Sequence, residues 1–268
     1  MITGASAGLG VETVRALQSV GCEVVGAVRD PDKARAVVDC DLVELDLASL
    51  DSVRRGAEAA AKRLPRIDLL INNAGVMACP LARTAEGFEM QLGTNHLGHF
   101  VWTTALLPQL VRGSRIINLS SRGHFRSPML WDDPHFRTSE YDKWQAYGQT
   151  KTANILFTVE LEKRLGGQSI HAFALHPGVI RTELGRHLTS EDAAGIADRL
   201  PTFKTVEQGA ATTVYAATAP DLPGGSYLED CGVAGPANAE ATAGVMPWAT
   251  DPEQATRLWN WSLAQTAP

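Results

Sequence analysis

The sequence predicts an α/β protein, a doubly wound parallel sheet with helices on both faces, from two observations. Short β-rich apolar runs take turns with segments of helical periodicity along almost all of the 268 residues. Three glycines, Gly4, Gly8 and Gly10, fall where a stub of first strand would turn into a helix. That stub, Met1-Ile2-Thr3, is short for a strand, so the first strand is expected to be truncated and the true start to lie upstream. From 9 to 20, Val11, Val14 and Leu17 keep helical spacing up to Gly21, and CEVVGAV at 22–28 reads as a strand. Asp30-Pro31 opens a short helix, DLVELDL at 41–47 alternates like a strand, and Ser49 is placed to cap an Ala- and Arg-rich helix running to Leu64. IDLLI at 67–71 reads as a buried strand, Thr84 to about Arg112 as one long helix, and SRIINLSS at 114–121 as the next strand. A polar and aromatic insertion at about 122–140 precedes a helix from about Lys143 to Leu165 and the strand HAFAL at 171–175. Residues 181–204 read as a mobile flap, 206–218 as a helix, 226–229 as a last strand, and 251–265 as a terminal helix opened by Asp251-Pro252.

Composition narrows the function classes. With 44% hydrophobic residues and no repeat or linker, residues 1–268 suit one large domain better than two small ones. The formal net charge of -6, with acids and bases interspersed, offers neither a basic stripe for a nucleic acid backbone nor a polybasic cluster for an anionic membrane. Cys22, Cys40, Cys79 and Cys231 are scattered, which favours reduced thiols in the cytoplasm. His96 and His99 alone share a helical spacing, without an acid or thiol to complete a metal site. No run of about 20 apolar residues and no secretion signal is present, so a cytoplasmic location is expected.

Two constellations carry chemistry. In the turn of Gly4, Gly8 and Gly10, missing side chains let backbone N–H groups approach a pyrophosphate, although an ordinary glycine turn reads the same. Tyr147 and Lys151, four apart at the start of a helix, put a phenol and an ammonium on one face. A phenol ionises near pH 10, and a neighbouring cation would stabilise its phenolate. Alone, such a pair is more often a solvated helix face.

The motifs TGASAGLG at 3–10, NNAG at 72–75, NHLGHF at 95–100, INLSS at 117–121, YGQTK at 147–151 and HPGVIRTEL at 176–184 stand in the order found in short-chain dehydrogenases/reductases. The sequence resembles that family over nearly its whole length. AYGQTKTANILF, HPGVIRTELGRHL and the tail GGSYLEDCGV are most similar to its retinol dehydrogenase and WW-domain oxidoreductase branch. The resemblance implies a single-domain Rossmann fold and hydride transfer between a nicotinamide and an alcohol or carbonyl group. It makes Tyr147 the general acid/base, Lys151 its pKa-lowering partner and holder of the nicotinamide ribose, Asn95 a link in a proton relay, and Ser121 a hydrogen-bonding partner of the substrate oxygen, with Ser120 as the adjacent competitor. For the cofactor it implies Gly4, Ser6, Gly8, Leu9 and Gly10 at the pyrophosphate, Asp46 and Leu47 at the adenine, Asn73, Ala74 and Gly75 alongside, and Pro177, Gly178 and Thr182 closing over the nicotinamide. Thr150 departs from the branch, which commonly has serine there, but keeps the hydroxyl.

At the end of the second strand Val28 stands where an acid would select a free ribose hydroxyl, and Arg29 follows it. A guanidinium there pairs with a 2′-phosphate, so NADP(H) is favoured, with NAD(H) the alternative. Phe125, Trp131, Phe136, Tyr141 and Trp144 crowd the insertion, and either line an apolar pocket or pack the insertion down. A bulky hydrophobic ketone, aldehyde or secondary alcohol is the expected substrate. The rival from another class is a non-enzymatic NADP(H)-binding sensor or scaffold, against which the joint presence of Asn95, a serine, Tyr147 and Lys151 argues. Relatives often pair through helices equivalent to 84–112 and 143–165, so a homo-oligomer is open, although the insertion and terminal helix could cover those faces.

Overall fold

The computed structural model describes residues 1–199, 203–238 and 240–267. Strand and helix alternate as β1 (Ile2–Thr3), α1 (Gly8–Ser19), β2 (Val25–Val28), α2 (Pro31–Arg35), β3 (Asp41–Glu44), α3 (Leu50–Arg63) and β4 (Ile67–Asn72) in the first half. The second half contributes α4 (Met90–Leu92), α5 (Gly98–Leu106), β5 (Leu110–Leu119), α6 (Lys143–Leu165), β6 (His171–His176), α7 (Ser190–Arg199), α8 (Val206–Thr218), β7 (Tyr227–Glu229), β8 (Gly232–Val233), α9 (Pro247–Thr250) and α10 (Pro252–Thr266). The sheet runs β3-β2-β1-β4-β5-β6-β7-β8, parallel except for the β7-β8 pair. The order turns around at β1, the switch point outside which α/β sheets bind ligands. β1 has only two residues, yet it pairs with both β2 and β4, and Ile2 and Thr3 are buried.

Alternation along the strands sends neighbours to opposite faces. Leu70 and Ile116 pack with Val53 and Ala57 of α3, Leu106 of α5 and Phe157 of α6, whereas Ile71 and Ile117 pack with Val14 and Leu17 of α1 and Ala216 of α8. The helix starts follow local chemistry. Asp30, Ser49 and Asp251 cap α2, α3 and α10 as their sequence positions predict.

Three elements differ from the sequence reading. The long helix expected from Thr84 to Arg112 begins only at Met90, where the Glu89 carboxylate accepts from the N–H groups of Gln91 at 3.0 Å and Leu92 at 2.7 Å. It passes through a π-helical turn at Gly93–Leu97 and ends in a 3₁₀ turn at Leu107–Gln109, where Pro108 interrupts it. β5 therefore starts at Leu110 rather than Ser114, with Leu110 opposite Ile67 and a register shift before Leu69. The sheet also gains β8, because Asp230 (φ 47°) and Cys231 (φ 57°) turn the chain back in the left-handed region. Of the expected flap at 181–204, residues 200–202 lie outside the described residues; Glu183–Gly185 form a 3₁₀ turn and α7 follows. No helix among the described residues is long and apolar enough to cross a membrane.

α10 lies against α5 and α6. The Trp259 ring meets Phe100 edge-on at 5.1 Å and Phe157 at 6.0 Å, and Ser262 Oγ is 2.8 Å from His96 Nε2.

Candidate active site

A cleft of about 1750 Å³ opens along the carboxyl ends of the strands. Its floor begins at the glycine turn. Gly4 has φ 73°, a Cβ on Gly10 would lie 2.1 Å from Gly4 O, and a Cβ on Gly8 would press on Thr182 at 3.3 Å. Only glycine permits this close backbone path, and α1 begins at Gly8 with no side-chain cap from Ala7, leaving its first N–H groups to the cleft. These residues fit a pyrophosphate. Ser6, Leu9, Arg29, Asp46, Leu47, Asn73, Ala74, Gly75, Ser121, Tyr147, Lys151, Pro177, Gly178 and Thr182 line the same cleft, so of the expected catalytic and cofactor residues only Asn95 lies behind its wall.

Asn95 sits fully buried in the π-helical turn, a local geometry frequent at functional sites. Its Oδ1 accepts from Val76 N at 2.8 Å, and its Nδ2 donates to Val76 O at 2.9 Å and Thr150 Oγ1 at 3.2 Å. A Cβ on Gly75 would come within 3.1 Å of Asn95 Oδ1 and 4.0 Å of Lys151 Nζ, which places Asn95, Gly75 and Lys151 side by side.

The two serines resolve as strand geometry requires, one to each direction. Ser120 Oγ is buried and donates to Lys151 O at 2.8 Å. Ser121 Oγ accepts from Gly123 N at 3.0 Å and stands beside the Tyr147 ring, a Cβ on Gly123 coming within 3.5 Å of the one and 2.7 Å of the other. Burial pushes the Tyr147 pKa up to about 12, and the Ser121 hydroxyl works against that rise. Lys151 Nζ lies 5.5 Å from the Tyr147 ring centroid and donates to Leu119 O at 3.0 Å. Burial lowers its pKa to about 8. The Tyr147 shift in this arrangement is thus upward.

Asp46 has the turn-forming role as well as a place on the cleft wall, since its Oδ1 accepts from Ala48 N at 2.9 Å. Val28 is buried, and Arg29 stands exposed at the cleft edge. Of the five insertion aromatics, Phe125 and Trp144 line the cleft. The other three pack the insertion down: Trp131 donates through Nε1 to Gln254 Oε1 at 2.8 Å, and Phe136 meets Tyr141 edge-on at 5.1 Å.

Several residues escaped the sequence reading. Lys33, three beyond the Asp30 cap, reaches the cleft beside Arg29 and pairs with Glu183 at 3.1 Å. Thr3 Oγ1 accepts from the N–H groups of Asn73 and Ala74, both at 3.0 Å, and lies 2.9 Å from His99 Nε2. His99 Nδ1 in turn lies 3.1 Å from Asn95 O. Burial lowers the His99 pKa to about 4, so the ring is neutral. With Nδ1–H donating to Asn95 O, Nε2 accepts from Thr3, and one chain of hydrogen bonds ties the glycine turn, the Asn73–Gly75 segment and Asn95 together. Arg122 and His176 also line the cleft beside Ser121.

The short chain dehydrogenase family profile matches residues 1–132. The chain is 40% identical over 283 residues to short-chain dehydrogenase/reductase prx1 of Penicillium rubens, covering 98% of this chain and 83% of that protein. It is 40% identical over 278 residues to human retinol dehydrogenase 13, covering 97% and 81%. Among solved structures, an uncharacterised protein of Mycobacterium paratuberculosis matches with a TM-score of 0.78 at 39% identity, covering 99% of this chain and 91% of that one. The chain belongs to the short-chain dehydrogenase/reductase family and is a retinol-dehydrogenase-like oxidoreductase that acts on CH–OH or C=O groups with a nicotinamide cofactor.

Proposed function

We propose that this chain is an NADP(H)-preferring carbonyl reductase and alcohol dehydrogenase of one domain, working in the cytoplasm on a small molecule with an apolar body. The observation that carries this reading is the meeting of Ser121, Tyr147 and Lys151 at one end of a cleft whose other end is the glycine turn. When bound, the nicotinamide supplies or takes up the hydride.

In reduction, negative charge develops on the carbonyl oxygen, and the hydroxyls of Ser121 and Tyr147 are the donors placed to meet it. Tyr147 then gives up its proton. A phenol whose pKa is about 12 remains protonated at neutral pH and is a ready donor. Oxidation needs the phenolate, and the Lys151 ammonium is the charge at hand to stabilise it. Lys151 also would hold the nicotinamide ribose, and Asn95, beside it, passes the proton on. Val28 presents no acid to a 2′-phosphate, while Arg29 and Lys33 bring two cations to that corner of the cleft. Phe125, Trp144 and Leu188 supply apolar wall, and the described part of 181–204 closes that side as a flap.

The test is consumption of NADPH at 340 nm against aldehydes and ketones. Tyr147→Phe is expected to lose at least about 100-fold in rate, while cofactor binding, read by fluorescence, persists. An unchanged rate would sink the mechanism. Replacing Arg29 with Ala is expected to cut the NADPH-to-NADH preference at least about tenfold, the scale of one charge-assisted hydrogen bond.

A further inference from the structure

We infer that the carbonyl compound reduced at Tyr147 carries a carboxylate, and that Arg122 receives it. The inference rests on the reductase reading and adds a substrate class to it.

Arg122 follows Ser121 directly on the 3₁₀ turn Arg122–Arg126, and it lines the cleft. Among the described residues its guanidinium has neither a hydrogen bond nor an ion pair within 4.0 Å, and its Nε is shut off from solvent without a partner. A cation so placed is costly unless an anion joins it. No carboxylate among the described residues pairs with it, although Glu229 and Asp230 stand near enough to feel its charge. Glu229, opposite His176 in the β6-β7 register, accepts from Gly244 N through Oε2 at 2.8 Å and leaves Oε1 without a partner; burial raises its pKa toward the neutral form, and the Arg122 charge works against that rise. Asp230 pairs with Lys204, and Asp192 accepts from Lys143 Nζ and Trp144 Nε1.

A second observation points to the same place. His176 is 95% buried by its 5% exposure, lines the cleft, and leaves both ring nitrogens without partners. Burial keeps the ring neutral, so one nitrogen carries a proton to donate. Arg126, four residues beyond Arg122, also lines the cleft, with the Trp144 ring 5.0 Å away as its contact. Planar guanidinium forks match carboxylates in two parallel hydrogen bonds, which point charges do not. Arg122 and Ser121 line the same cleft, so one small molecule can reach both, and the apolar wall of Phe125 and Trp144 receives the rest of it.

Aryl-substituted keto acids with one to four carbons between carbonyl and carboxylate, each paired with its methyl ester, test this. With NADPH in excess, kcat/KM for the acid of at least one spacing is expected to exceed that of its ester at least tenfold. Arg122→Met should bring that ratio to near one while leaving the ester rate within about threefold, and Arg122→Lys should restore part of it. Calorimetric binding of the acid to Tyr147→Phe protein loaded with NADP should be lost when Arg122→Met is added, a readout that stands even where turnover fails. Esters turned over as well as every acid, or acid and ester impaired alike in Arg122→Met, would overturn the assignment. No carbonyl turned over, with acid still bound through Arg122, would defeat the reductase reading and leave the anion site standing.

Discussion

Burial moves the two ends of the Tyr147 and Lys151 pair in opposite directions, the phenol up to about 12 and the ammonium down to about 8. Within the range where enzymes are assayed, Lys151 is therefore the group that titrates and Tyr147 is not. The dependence of kcat/KM for the reduced cofactor reports ionisations of the free enzyme. It is expected to be level through neutrality and to fall about tenfold per pH unit above about 8, as Lys151 loses its charge. Lys151→Arg, which does not titrate there, should abolish that limb; a limb surviving in the variant would assign it to another group. The same shift bears on stability. Because the folded pKa lies below the ordinary 10.5, the unfolded chain binds the extra proton between about pH 8 and 10.5, and the fold gains stability as pH rises through that window. Tyr147 and Lys151 were legible because four residues on a helix make a local signal. Thr3 and His99 were not, since their contact joins residues 96 apart and depends on the finished sheet. Arg122 had the same handicap: beside Ser121 in the sequence, it reads as any surface arginine until burial of its Nε is known.

Elements were legible where they carry their own caps, as Asp30, Ser49 and Asp251 show, and illegible where conformation defies residue preference. The β7-β8 hairpin turns through Asp230 and Cys231 in the left-handed region, where an Asn-Gly pair would have announced it. The apolar run through Phe100, Val101 and Trp102 likewise hid both the π-helical turn before it and the early start of β5 after Pro108. The lining segment around 183–192 is held at two ends by side chains. Glu183 pairs with Lys33 at the cleft edge beside Arg29, and Asp192 accepts from Lys143 Nζ at 2.5 Å, Trp144 Nε1 at 3.1 Å and Thr189 Oγ1 at 2.8 Å. Asp192 thus pins the start of α7 to the start of the helix that carries Tyr147. Asp192→Asn keeps the shape and removes the charge that holds Lys143. It is expected to raise KM for the cofactor about three- to tenfold, corresponding to about 1 kcal/mol of charge-assisted hydrogen bonding. The melting temperature should move little, because the segment adds little buried apolar area. Stopped-flow dissociation of NADPH checks it, and an unaltered off-rate would mean that Asp192 only caps its own helix.

On the scale of the whole molecule, α10 decides which faces remain for association. Trp259 packs on Phe100 and Phe157, Arg164 lies over its indole at 4.2 Å, and Thr256 Oγ1 donates to the buried Glu160 carboxylate at 2.8 Å. The last helix thus covers the faces of α5 and α6 that carry Phe100, Phe157 and Glu160. The parallel, doubly wound core was legible, since alternation of strand and helix leaves few arrangements open. This covering was not, because the terminal helix has no local mark of the face it seeks. Trp259→Ala removes a large ring from a packed junction and is expected to cost about 3 kcal/mol or more. For a chain of this size that lowers Tm by roughly 6–12 °C, at about 2–4 °C per kcal/mol. The variant should also sediment faster than the parent at equal concentration, as the apolar surface of Phe100 and Phe157 finds a second copy. Calorimetry and sedimentation velocity read the two effects independently. A Tm unchanged in Trp259→Ala would make α10 a detachable tail, and the faces beneath it would then be free for pairing after all.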